Sequence, residues 1–402
     1  MCLSEAKGMD IIMNKKYYPS AFILYLNYFI HGIGASVLGQ VAVKETLVKQ
    51  WGASDIGLVT MVAAALGLGR LIALPFAGPL SDKLGRKVAS IIGAGSYAIF
   101  FLGLAVSPNM TVAYIAAILG GIANSFLDTG VIPACVEILA PRSSMATMLT
   151  KFSISCSQLL MPFMIGAIVG ANLSLNVLLY VCGAAIAIIG VLVLFAPLPK
   201  METAGGEKTS LIQDIKHANF SLESIALIII GFTGTATFQL WLNCAQDFAK
   251  EYAKIGDPSV MQTYYSTGSL VAIVVTTVLV NKIKGVRFLF VYPLISTIMI
   301  ALVYLLRTPS ICYIGSAVVG YSAGAVVLQL VTATANDLFP KIKGTITSIV
   351  MIASSLSNYT ILSLAGTMNK ADILLMNIGI TVVGVLLALF VNVRYKAMEE
   401  KA

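Results

Sequence analysis

The chain has 402 residues, 58% of them hydrophobic and 11% charged, with a mean hydropathy of +0.90. Soluble domains carry about 25% charged residues, so this composition excludes an ordinary water-soluble enzyme. The formal charge of +8 would point to nucleic acid in a soluble chain; here Lys and Arg sit in short loops between apolar runs, as topology signals and lipid-headgroup contacts, and no nucleic-acid partner is expected.

Twelve apolar runs are long enough to cross a ~30 Å hydrocarbon layer as helices of about 20 residues. They fall at 20–43, 55–77, 88–106, 111–138, 144–170, 175–196, 223–244, 261–280, 287–306, 311–338, 345–366 and 373–393. Backbone in lipid must satisfy its hydrogen bonds within its own segment, so each run reads as a helix. The expectation is an all-α membrane protein with 12 transmembrane helices. Its parts are an N-terminal segment 1–19, a six-helix bundle 20–196, a polar linker 197–222, a second six-helix bundle 223–393 and a tail 394–402. No removable leader is visible before the first run. Summed over alternating loops, Lys and Arg favour the side holding both termini by roughly three to one, which predicts cytoplasmic termini.

In chain order, span 1 carries Tyr25, Asn27 and His31, with Asn27 and His31 on one helix face. Span 2 carries Arg70, and the loop after it reads GPLSDKLGRK from Gly78 to Lys87. Span 4 carries Asn124 and Asp128 four residues apart and ends near Glu137. Span 5 carries Lys151, Ser155 and Gln158; after the linker, span 7 holds Phe238, Gln239, Trp241 and Asn243, span 10 Gln329 and span 11 Asn358. The halves echo each other: Gly121 and Gly320, like Pro141 and Pro340, lie 199 residues apart, and Gly85 is answered by Gly285. A duplicated six-helix unit with solute held between the copies is the plan of many secondary transporters.

A charge at the bilayer centre costs roughly 2.5–3.5 kcal/mol even on lenient scales, so each one is a functional hypothesis. Arg70, Asp128 and Lys151 are the deep charges and His31 is a fourth titratable group, all in the first half. Counting 1.5 Å per residue from the helix ends puts all four at a similar depth, where they can meet. Two readings stay open. Arg70 and Asp128 pair as a neutral lock between helices, or Asp128 carries a coupling proton while Arg70 or Lys151 holds an anion. Two cations and one acid leave one cation over, which makes Lys151 the sharper substrate candidate. His31 is a packing residue or a second proton carrier. Asn27, Asn124, Gln158, Gln239, Asn243, Gln329 and Asn358, with Tyr25 and Trp241 as walls, are candidates to line the same cavity, although each alone is as well explained as helix–helix glue.

The loop from Gly78 to Lys87 resembles the signature of the major facilitator superfamily: a glycine, an aspartate four residues on (Asp82), then basic, any, glycine and two basic residues. The two glycines, Gly78 and Gly85, would permit a close turn. The resemblance implies a gating loop in which Asp82 caps a helix end across the interface of the halves and Arg86, beside Lys87, reaches Glu137. The second-half counterpart, from Asn281 to Arg287, keeps the glycine and the basic character but lacks the aspartate. Segments 27–36, 66–87 and 120–133 are similar to a branch of bacterial inner-membrane facilitators suspected of handling shikimate- or quinate-type organic acids; the similarity starts near Met13, leaving Met1–Ile12 as an extension.

No phosphate-binding loop is present, so the expected driving force is a proton gradient with no cofactor. His31 and His217 are the only histidines, and the six cysteines have no paired spacing, which excludes a metal cluster or a disulfide framework and leaves them as packing residues. The fifth span has Pro162 without the glycines that drug/proton antiporters of the superfamily carry there. The expected function is transport without catalysis: a monomeric, proton-coupled symporter of a small organic acid in the cytoplasmic membrane. An exporter of drugs or metabolites and a non-transporting sensor are the alternatives.

Overall fold

The computed structural model describes residues 15–140, 143–199, 222–280, 282–324, 326–338 and 343–399. The linker expected at 197–222 lies almost wholly outside the described residues, as does the N-terminal extension.

The first half contains α1 (Tyr18–Ser36), α2 (Val41–Gln50), α3 (Gly57–Leu84), α4 (Arg86–Val106), α5 (Met110–Ile138), α6 (Ser143–Gly170) and α7 (Asn176–Phe195). The second contains α8 (Leu222–Tyr252), α9 (Val260–Leu279), α10 (Gly285–Leu306), α11 (Pro309–Val319), α12 (Val327–Leu338), α13 (Lys343–Ala365) and α14 (Lys370–Glu399). Among the described residues, eleven helical segments are long and apolar enough to cross a membrane. The twelfth span is α9, whose 20 residues include Gln262, Ser266, Ser269 and Thr276 and are therefore less apolar. Phe22, Phe76, Phe163, Phe195 and Leu305 point outward; such a surface suits lipid and would aggregate in water.

Five spans depart from their expected bounds. Span 1 ends at Ser36, because a short 3-10 turn at Val37–Gly39 leads to an extended Gln40 (φ −77°, ψ 121°), and α2 starts afresh. Span 2 runs on to Leu84, seven residues past the expected 77, so that most of the expected loop after it is helical and only Gly85 separates it from α4. Span 7 runs on to Tyr252, two turns past the expected 244, and takes Asp247 into the helix. Span 10 is interrupted by a π-helical turn at Gly320–Gly324 between α11 and α12. Span 12 continues to Glu399, so residues 394–399 of the expected tail are helical.

The duplication seen in sequence is repeated in the packing. In the first half α4 packs on α5 and α7, α3 on α5, and α1 on α6 and α7. In the second, α10 packs on α11 and α14, α9 on α11, and α8 on α13 and α14. The halves meet through α3 against α13 and α6 against α9.

Candidate functional site

Small residues bring α3 and α5 together: a Cβ on Gly121 would lie 2.1 Å from Leu66 O and 2.7 Å from Arg70 N. That approach, with Ser125 Oγ donating to Arg70 O at 3.3 Å, sets Arg70 opposite Asp128, one helical turn further along α5. Arg70 Nη2 donates to Asp128 Oδ2 at 2.8 Å, and Tyr28 Oη on α1 donates to Oδ1 at 2.7 Å. Both carboxylate oxygens therefore have a donor. The same Nη2 lies 3.6 Å from Met351 Sδ on α13, so the pair faces the seam between the halves. Its side chains are 19% and 27% exposed.

His31 Nδ1 is hydrogen-bonded to Tyr97 Oη on α4, and its ring packs edge-on against both Tyr28 and Tyr97. Lys151 on α6 is near enough to Asp128, Arg70 and His31 to act on each electrostatically. It forms no hydrogen bond or ion pair with any described residue, although it is half-buried. The four ionisable groups expected at one depth thus form one cluster, with one carboxylate already bound by a cation and a phenol and one lysine left over.

The uncharged candidates divide. Asn124, Gln239, Gln329 and Asn358 are half-buried in the middle of their spans. Tyr25 is too, with its hydroxyl donating to Ala146 O at 3.0 Å. Asn27 is fully buried and gives its amide protons to Leu24 O and Ile23 O of its own helix, while its Oδ1 is buried without a hydrogen-bond partner among the described residues. Trp241 is 3% exposed, its indole packed on Gly315, and it lines a small cavity of the second half together with Gln246, Gln262 and Tyr265. Gln158 and Asn243 are buried as well.

At the loop end of the molecule, Gly85 makes the turn between α3 and α4 with φ 98° and ψ 154°, a conformation open essentially to glycine alone. Gly78 does not share that role: it lies inside α3, where a Cβ would meet nothing within 4 Å. Arg86 lies 3.7 Å from Glu137, the acid expected for it, and also pairs with Asp82 at 3.0 Å, a contact that was not expected. Lys87 Nζ donates to Leu194 O in the last turn of α7 at 3.2 Å, where a cation also complements the helix dipole.

The opposite end, called here the far end, holds a constellation that the sequence reading missed. Lys44 on α2 is fully buried and donates to Asp247 Oδ2 on α8 at 2.5 Å, to Asn243 O at 2.6 Å and to Thr60 Oγ1 at 3.0 Å. Beside it Gln40 and Gln246 are bonded at 3.1 Å, Gln40 and Gln262 at 3.3 Å, and Glu45 pairs with Lys250 at 2.5 Å. Apart from the Lys44–Thr60 bond, which lies within the first half, all of these link the first half to the second. Lys44 read as a loop charge and Asp247 fell outside the expected span; the available signal was the spacing of Gln239, Asn243 and Asp247, each four residues from the next.

The arrangement is that of a two-bundle membrane carrier. Residues 24–359 match the family model described as Major Facilitator Superfamily, and the chain belongs to that family. It is 33% identical to the "Uncharacterized MFS-type transporter YfkL" of Bacillus subtilis over 93% of its length and 96% of the relative's. Identity to the inner membrane transport protein YdiN of Escherichia coli is 29%, covering 94% of this chain and 92% of that one. The quinolone resistance protein NorA of Staphylococcus aureus matches at 26% identity over 60% of this chain and 61% of its own. Among solved structures, the nucleoside transporter NupG (D323A mutant) superposes with a TM-score of 0.72 at 13% identity, covering 92% of this chain and 98% of that one. The inward-open xylose transporter XylE from Escherichia coli gives 0.70 at 16% identity, covering 93% and 95%. At such identities the structures speak for the fold alone. The chain is a membrane transporter and not an enzyme.

Proposed function

We propose that this carrier moves a small organic anion across the cytoplasmic membrane, driven by the proton gradient, with both termini and the Gly85 turn on the cytoplasmic side. The observation that carries the anion is Lys151: a cation inside the bundle with no described hydrogen-bond or ion-pair partner, beside an Arg70 already neutralised by Asp128. An unpaired buried charge is costly, and a carboxylate solute supplies the missing partner. In this reading Asp128 is the counter-charge of Arg70, the first of the two roles left open by the sequence. Half-buried Asn124, Gln239, Gln329 and Asn358 offer hydroxyl-binding amides around the anion, which suits polyhydroxylated acids such as shikimate and quinate. The basic-residue bias of the loops supports the orientation.

The test is uptake of small carboxylates, shikimate and quinate among them, into proteoliposomes under an imposed pH gradient. Saturable uptake that follows the gradient is the expected result. Lys151→Ala should raise KM at least tenfold, because a charge-assisted hydrogen bond is worth about 1.5–3 kcal/mol; Lys151→Arg should retain part of the affinity. The similarity to NorA favours a second reading, drug export. Extrusion of a lipophilic cation, with no acid carried, would establish that reading and defeat the first.

A further inference from the structure

The far-end ion pair is more than a latch. Lys44 and Asp247 belong to opposite halves, their side chains are 0% and 5% exposed, and the second carboxylate oxygen, Asp247 Oδ1, is buried without a hydrogen-bond partner among the described residues. The ammonium sits among three oxygens, of which Asp247 Oδ2 and Asn243 O belong to α8 and Thr60 Oγ1 to α3. If the halves rock apart at this end, Lys44 leaves with the first half and can be met by water. Asp247 stays in the helix with one oxygen already unserved and its counter-charge gone.

A buried carboxylate that loses its cation is strongly disfavoured as an anion, and the smallest replacement for the departing ammonium is a proton. The other charged or titratable groups around Asp247 cannot take that place without breaking pairs of their own. On α2, Glu45 is held by Lys250 of α8; on α14, Lys370 is held by Glu251 of α8 at 3.2 Å. Cys244, one turn away on α8, is a buried free thiol. Gln40 and Gln246, alongside, do not titrate.

We infer that Asp247 is the proton-carrying site of this transporter: it binds one proton when the far-end contact opens and yields it when Lys44 returns. The balance is one for one, since the carboxylate exchanges an ion pair to Lys44 for an O–H bond and reverses the exchange on closure. The route inward is on the same helix face. Asn243 Nδ2 donates to Gln239 Oε1 at 3.0 Å, and Gln239, Asn243 and Asp247 form a polar ladder of successive turns from the gate to the half-buried middle of α8. The inference rests on the alternating-access, proton-driven reading above and is independent of which solute is carried.

The experiment is therefore free of substrate. Spin labels at Lys49→Cys and Val260→Cys, exposed far-end positions on α2 and α9, are placed in a background with Ser at Cys2 and Cys156. Their separation is measured in lipid from pH 8 to pH 5.5. Acid should populate a longer far-end distance, the open-to-closed ratio rising by up to about tenfold per pH unit, the slope of one proton. Asp247→Asn, which stands in for the protonated acid, should hold the far end open at every pH. Glu45→Gln, which touches the neighbouring exposed pair, should leave the pH response in place. The neutral double variant Lys44→Met/Asp247→Leu keeps the comparison valid if a single variant folds poorly, and it too should lose the response. A pH response that survives in Asp247→Asn or in the double variant overturns the inference, as does opening that follows sodium at fixed pH. Loss of acid uptake with the distance response intact would instead count against the substrate reading alone.

Discussion

Removing one member of a buried ion pair costs about 3–5 kcal/mol, mostly as the penalty of the charge left behind. Arg70 and Asp128 are partly exposed, at 19% and 27%, so Asp128→Asn should destabilise the protein by somewhat less, about 2–3 kcal/mol on the same basis. Tyr28 would at the same time lose its charged acceptor. The joint replacement Arg70→Met/Asp128→Leu should recover most of that loss, as measured by thermal unfolding in detergent. A double variant no more stable than Asp128→Asn would mean that the cluster is held by Tyr28 rather than by the charges. At this scale the sequence was informative where chemistry stands out against its surroundings: Arg70, Asp128 and Lys151 are conspicuous because charge is rare in apolar runs. Tyr28 and Tyr97 were invisible because tyrosine is ordinary in a membrane span, and only the folded bundle shows which phenol meets a carboxylate. Asn27 and Trp241 were ambiguous for the converse reason, being residue types that serve a binding site and a helix contact equally well.

The helices were legible because a span needs about 20 apolar residues whatever its neighbours do. Their interruptions were not. A break such as that at Gln40 or at Gly320–Gly324 keeps the hydropathy of the run and changes only the backbone path. The turn at Gly85 is the exception, since a glycine within the charged stretch Asp82–Lys87 at the end of an apolar run is a readable stop. Its backbone (φ 98°, ψ 154°) lies where a Cβ is strained, so Gly85→Ala should cost about 1–3 kcal/mol and displace Arg86 from Asp82 and Glu137. The check is a lowered unfolding temperature together with greater thiol reactivity of a cysteine placed at Lys83. Gly78→Ala should be close to neutral, because its site inside α3 is open.

Taken as a whole, the molecule is a pair of bundles pinned together at one end. Gly39 lies so near α8 that a Cβ there would stand 2.2 Å from Leu242 O, and Gln40 and Gln246 are hydrogen-bonded immediately beside it. Joining Gln40→Cys to Gln246→Cys with a short bifunctional thiol reagent should stop transport completely while leaving the protein folded, and reductant should restore it. Transport that persists through the cross-link would mean that the far end does not open during the cycle. This pinned end was the least legible part of the molecule. Both its charges sit near span ends, where Lys and Asp are normally solvated, and nothing short of the assembled interface shows that Lys44 is dry.

The interrupted tenth span gives the second bundle a joint that the first lacks. In the first half α5 runs unbroken from Met110 to Ile138, whereas its counterpart is divided by the π turn at Gly320–Gly324 into α11 and α12. One piece can tilt while the other stays seated against α9 and α10. A carrier hinged in this way can seal its loop end by bending half a helix before the bundles begin to swing, and so shut the solute away from both sides of the membrane at once. Such a pause resembles a canal lock with both gates closed, and it would keep protons from leaking through during each turnover.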